Sequence, residues 1–189
     1  NIESYDFSEI KKDNDIFFAI SHGVNYGKLK SGDYKDDRFK FIEKFIKASD
    51  NSLNFNLLGF YNIQPKWNYN FLNELMYSKF ALNLSRGGPT KYCSSNRIAT
   101  IMGNGIIPLI DQKVKYQDFF DNDEIITYKN VNDLISKLLS IKDNNKLLIK
   151  KSKLAKKNYF EYFENTIVAD FIISMIFNTK NKFKYIWSK

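Results

Sequence analysis

The feature that most constrains this chain is an alternation of two hydrophobic periods. Short apolar runs, DIFFAIS (15–21), NFNLLGF (54–60), FALNLS (80–85), IIPLI (106–110) and DEIITYK (123–129), have the length and continuity of buried strands. Between them lie segments with helical spacing. In DRFKFIEKFIKAS (37–49), Phe41, Ile42, Phe45 and Ile46 share one face. NYNFLNELMYSK (68–79) reads as a second helix capped by Asn70, and Asn96 to Gly103 as a short third. Val131, Leu134, Ile135, Leu138 and Leu139 mark a fourth, and the chain stays helical from there to about Phe177. Strand alternating with helix predicts βαβ units, and so an α/β, Rossmann-like, mostly parallel sheet flanked by helices, with a helical C-terminal segment.

The 189 residues suit one domain, 1–178, followed by a basic aromatic tail, 179–189. An apolar content of 43% excludes a disordered chain. The single cysteine, Cys93, excludes an intrachain disulfide and fits a reducing, cytoplasmic setting. No apolar run reaches the ~18 residues of a membrane span. The net charge of +8 suggests an anionic partner, although an Asn- and Lys-rich composition accounts for much of it as solvated surface. The chain opens on Asn1 and reads as a fragment of something longer.

In a parallel sheet, ligands bind beyond the carboxyl ends of the strands. The unusual residues fall there: His22 and Gly23 after the first strand, Gly59, Phe60 and Tyr61 after the second, and Ser85 to Gly88 after the third. The helix that follows Ser94, Ser95 and Asn96 offers free N–H groups and a positive dipole end, which suits an anion. Arg97 sits in its first turn. Only three of the 29 basic residues are arginines, Arg38, Arg86 and Arg97, so positions that keep a guanidinium are candidates for bidentate grip. The alternative is that Ser and Asn cap the helix and Arg97 is surface. His22, the one histidine, suits phosphate or sugar contact, or a structural place. GxxxxGK[ST], GxGxxG and GxSxG are all absent, which speaks against a P-loop ATPase, a dinucleotide fold and a serine hydrolase. One His and one Cys speak against a soft-metal site. The acidic clusters Asp36-Asp37 and Asp121/Asp123/Glu124 read as solvated loops.

The ordered segments SHG, LLGFY, LMYSKFALNLSRG, YCSSNRIATIMGNGIIPLID and FFDNDEIITYKNVNDLISKL resemble the carboxyl-terminal domain of GT-B glycosyltransferases. The likeness is nearest to the bacterial glycosyl transferases group 1 and spore-protein-like relatives, and covers roughly residues 14–170. It implies a nucleotide-sugar-binding domain that transfers a sugar from a nucleoside diphosphate to a hydroxyl, with no metal. The donor diphosphate would meet Arg97, Arg86, Ser94, Ser95, Asn96 and Lys30. The sugar or phosphate would meet His22, Gly23 and Thr100, and the base Gly59, Phe60 and Tyr61. Many retaining members carry a glutamate where this chain has Thr100. The resemblance also implies an amino-terminal acceptor domain on a missing segment or another chain. Peripheral contact with the inner membrane face stays open, and no nucleic acid partner is expected. The alternative is a non-catalytic α/β module that binds nucleotide or protein.

Overall fold

The structure, a computed structural model, describes residues 5–20, 37–93 and 95–188, with 24–25 and 28–29 as backbone. His22, Gly23, Lys30 and Ser94 lie outside the described residues.

Five parallel strands form the sheet: β1 (Asn14–Ala19), β4 (Phe55–Leu58), β5 (Ser78–Asn83), β6 (Ile107–Asp111) and β7 (Ile126–Tyr128), in the order β4-β1-β5-β6-β7. A two-stranded antiparallel pair, β2 (Val24–Asn25) and β3 (Lys28–Leu29), stands where the sequence reads as loop. The helices are α1 (Asp37–Ser49), α2 (Asn68–Met76), α3 (Asn96–Gly103), α4 (Val131–Ile141), α5 (Asn145–Phe163) and α6 (Asn165–Phe177). The chain steps from β1 outward to β4, then returns past β1 to β5. Between β1 and β5 the winding reverses, and this switch point is where an open α/β sheet has its crevice.

Adjacent residues feed opposite faces. Phe18 joins Phe45, Leu82, Leu109, Tyr128 and Leu134 in the core under α1 and α4. Its neighbour Phe17 joins Leu58, Leu75, Ala81 and Ile101 under α2 and α3. A third cluster around Ile98, Met102, Ile110 and Phe120 is closed by the aromatic end of α5. Strands buried on both faces need the near-continuous apolar runs that the sequence displays.

Several expectations are corrected. Helix α2 begins at Asn68 with Trp67 as its N-cap, so Asn70 lies inside the helix and caps nothing. Strand β5 starts at Ser78, because the register with Asn14 of β1 extends pairing back to that residue. Strand β7 is only three residues long: Glu124 and Ile125 both donate backbone N–H to the Asp121 carbonyl, which makes 121–124 a turn. Glu124, expected in solvent, is buried; it accepts from the Asp121 backbone N–H at 2.8 Å and from the Asn158 amide. The tail packs back on the domain, where the Tyr185 hydroxyl donates to Asp170 at 2.6 Å and Trp187 stacks on Phe163. Among the described residues no helix is long and apolar enough to cross a membrane.

Candidate functional site

Arg97 is the centre of the carboxyl edge. It occupies the second helical position of α3, whose N-cap, Ser95, is extended. Its guanidinium reaches across the switch point. Nη1 donates to the Leu84 carbonyl at the end of β5, and Nη2 donates to the Ala19 carbonyl at the end of β1, at 3.3 Å. The flat group also lies over the Phe18 ring, 4.7 Å from its centroid. A planar fork with several fixed donors can do all three at once, whereas an ammonium cannot. One arginine thus ties two strand ends across the crevice and leaves a positive charge there. Burial and the nearby Arg38 pull its pKa down to about 10, so it stays charged at neutral pH. The reading of Arg97 as a bare surface residue is corrected: it is half-buried and bonded.

The mouth of α3 is not closed by its own cap. The Ser95 hydroxyl makes no bond to the helix N–H groups and instead donates to the buried Asn83 side chain at 3.4 Å. Asn96 is exposed. Ser95, Asn96 and Arg97 therefore share one end of the crevice. Thr100, one turn on, spends its hydroxyl on the Asn96 carbonyl at 2.8 Å. Arg86 is exposed on the loop after β5, beside Gly87 and Gly88, which both adopt positive φ in open space.

At the end of β4 the three candidate base contacts separate. Gly59 has φ +83°, and a Cβ there would stand 2.0 Å from the Ile20 carbonyl oxygen. Glycine is demanded by the close approach of β1 and β4. Phe60 is 1% exposed and packs on Phe18 and Phe39, so it offers no free face. Tyr61 is 54% exposed and tilts over Phe39 and Phe60. Of these rings, Tyr61 alone presents a surface to solvent. An aromatic path, Phe18 to Phe60 to Tyr61, runs from under Arg97 to that surface.

Sequence reasoning counted one further residue among its arginine candidates without placing it at the site, and passed over another. Arg38, the third arginine, stands in the first turn of α1, close enough to Arg97 to disfavour its charge. Together the two guanidinium groups make this part of the crevice positive. The signal was the rarity of arginine itself. The second is Tyr128, at the end of β7. With Arg38, Asn83, Ser85, Gly88 and Asp111 it lines a cavity of about 160 Å³. Tyr128 is 1% exposed, and among the described residues its hydroxyl has no hydrogen-bond partner. Burial, reinforced by Asp111, pushes its pKa up, so it stays protonated and able to donate. A buried hydroxyl left unpaired costs about 1–3 kcal/mol. In DEIITYK nothing distinguishes Tyr128 from an ordinary core aromatic.

A five-stranded parallel sheet with helices on both faces and a crevice at its switch point defines a Rossmann-like α/β domain. The glycosyl transferase-like family model matches residues 38–169, well over half of the chain, and the chain belongs to that family. No curated protein matches it in sequence. Among solved structures, the one titled "Crystal Structure of TarM" superposes with a TM-score of 0.59 at 15% identity, over 95% of this chain and 38% of that one. The likeness carries the fold, and the chain spans well under half of that protein's length.

Proposed function

We propose that this chain is the donor half of a GT-B glycosyltransferase. It binds a nucleoside-diphosphate sugar for transfer of the sugar to a hydroxyl acceptor. The observation that carries the reading is Arg97 fixed across the β1/β5 switch point beside Arg38, at the uncapped mouth of α3. Departure of the diphosphate is the demanding step, because negative charge develops on its oxygens. Fixed donors aimed at that charge need no reorganisation as it grows. Arg97 and Arg38, the first N–H groups of α3 and the exposed Arg86 supply such donors, and Lys30 and Ser94 join them in this reading. Two cations and a helix dipole meet the charge of the leaving group without a metal. Tyr61 supplies the face on which the base stacks, with Gly59 letting the chain turn there; His22 and Gly23 are assigned to the sugar or phosphate.

The catalytic base and the acceptor hydroxyl's site belong to a second domain, on another segment or another chain. Helix α6 favours such a neighbour: Ile172, Ile173, Met175, Ile176 and Phe177 are all at least half exposed. A helix this apolar around its circumference is normally covered. One observation favours the non-catalytic alternative. Thr100 stands where many retaining relatives place a glutamate, and its hydroxyl is already spent inside its own helix.

Calorimetric titration with UDP, GDP, ADP and CMP tests the donor site. One nucleotide should bind in preference, and Arg38→Ala should weaken it about ten-fold or more while leaving the bare nucleoside unchanged, as expected for one charged hydrogen bond of about 1.5–3 kcal/mol. No binding by any of the four at millimolar concentration would remove the donor reading.

A further inference from the structure

Beyond the donor crevice, across the segment in which the Tyr92 N–H donates to the Val114 carbonyl at 2.8 Å, lies a second and larger cleft. Val114 lines the donor cavity on one side of that contact, and Tyr92 lines the cleft on the other. The cleft has a volume of about 480 Å³, with Tyr92, Tyr116, Asp118, Phe119, Phe163 and Trp187 in its walls. Its rings are organised. Tyr92 and Phe119 stand 5.0 Å apart, and Trp187 stacks on Phe163 at 5.2 Å and 20°. Its rim is polar: the Tyr92 hydroxyl donates to the Asp118 carboxylate at 2.6 Å, and the Lys91 ammonium sits 4.6 Å from the Tyr92 ring centroid.

Tyr92 is held oddly. Its φ is +57°, a conformation that bulky side chains rarely adopt, yet its ring is 42% exposed rather than packed away. Strain of this kind persists where the surroundings hold it, and it clusters at ligand sites. Here it turns a large aromatic ring out to the mouth of the cleft, against a carboxylate. Flat apolar faces beside a carboxylate, a hydroxyl and an ammonium match a pyranose, which has apolar C–H faces and an equator of hydroxyl groups.

We infer that this cleft is a saccharide subsite, holding a sugar ring of the acceptor glycan next to the donor crevice. The inference rests on the glycosyltransferase reading for its ligand class. It places part of acceptor recognition on this domain.

The cleft carries its own reporter. Of the two tryptophans, Trp187 forms its wall, and Trp67 lies elsewhere, 53% exposed at the head of α2. In a Trp67→Phe background, emission from Trp187 is followed while methyl glucoside, methyl galactoside and methyl N-acetylglucosaminide are added in turn. At least one should produce a saturable shift with a millimolar Kd. Tyr92→Ala should weaken it ten-fold or more, Tyr92→Phe much less because the ring remains, and Asp118→Asn several-fold. No saturable shift with any probe at 100 mM overturns the inference, as does a Tyr92→Ala chain of native circular dichroism that binds as well as its parent. An equal shift from n-octanol that competes with the sugar also overturns it, marking the cleft as a site for apolar chains. Titration with nucleoside diphosphates keeps the two readings apart. Diphosphate binding without saccharide binding defeats this inference alone, and saccharide binding without diphosphate binding defeats the donor reading alone.

Discussion

Gly59 and Gly87 form a matched pair that isolates the close approach of β1 and β4. Both are in the left-handed region, with φ of +83° and +78°. Their surroundings differ. A Cβ on Gly87 meets nothing within 4 Å, whereas a Cβ on Gly59 would stand 2.0 Å from the Ile20 carbonyl oxygen and 2.9 Å from Ile20 Cγ2. That carbonyl is main chain and cannot rotate away, and the Ile20 N–H is itself bonded to Leu58 at 2.9 Å. Gly87→Ala should therefore cost only the left-handed penalty, about 1–2 kcal/mol. Gly59→Ala adds a forced backbone shift of about 1–3 kcal/mol, for a total of about 2–5 kcal/mol. For a chain of this size, each kcal/mol lowers Tm by about 2–4 °C, so Gly59→Ala should fall by on the order of 10 °C and Gly87→Ala by about half as much or less. Urea melts of the two variants at equal slope measure the difference directly. Equal destabilisation would refute the reasoning, because it would mean that the carbonyl of Ile20 has room to move.

Three further outcomes are expected. Arg97→Lys should lower stability by roughly 1.5–3 kcal/mol, since an ammonium cannot hold both strand-end carbonyls and also stack on Phe18; thermal denaturation of the purified variant checks this. Hydrogen bonds from Lys66 and Asn56 hold the Glu74 carboxyl below its usual range, so its contribution is complete above the ordinary glutamate value and lost as the pH falls through the lowered one; Glu74→Gln should flatten the fall of Tm between pH 5 and 3. Asn130 caps α4 by accepting from the Asp133 N–H at 3.0 Å, and Asn130→Ala should cost about 1 kcal/mol in a urea melt.

What was legible in the sequence followed from period. Strands buried on both faces must be apolar throughout, and helices over them must be apolar on one stripe, so DIFFAIS, FALNLS and the stripe of α1 declared their places. Ends were harder, because hydrogen bonding rather than hydropathy decides them. Polar Ser78 belongs to β5, since its backbone pairs opposite Asn14. Glu124 entered the interior because an Asp121 N–H and an Asn158 amide answer its oxygens, which no local pattern foretells.

The candidate site was legible by composition and illegible in geometry. A chain rich in lysine that keeps arginine at three positions advertises a need for guanidinium there, but not for what. For Arg97 the structure supplies an answer with two parts. Its fork is needed to hold the ends of β1 and β5 together, and the charge it brings to the crevice is a consequence of that same placement. The crevice lies at the switch point, where the winding of the sheet reverses between β1 and β5. Something must then bond the carbonyls at these strand ends, and an arginine that does so becomes a cation at the crevice where such a sheet takes a ligand. Holding the fold and preparing the site are therefore not competing explanations of Arg97. Arg38, in the first turn of α1 and in the wall of the same crevice, brings a second guanidinium close enough to join burial in lowering the pKa of Arg97, so the charge at the crevice comes from two elements, α1 and α3.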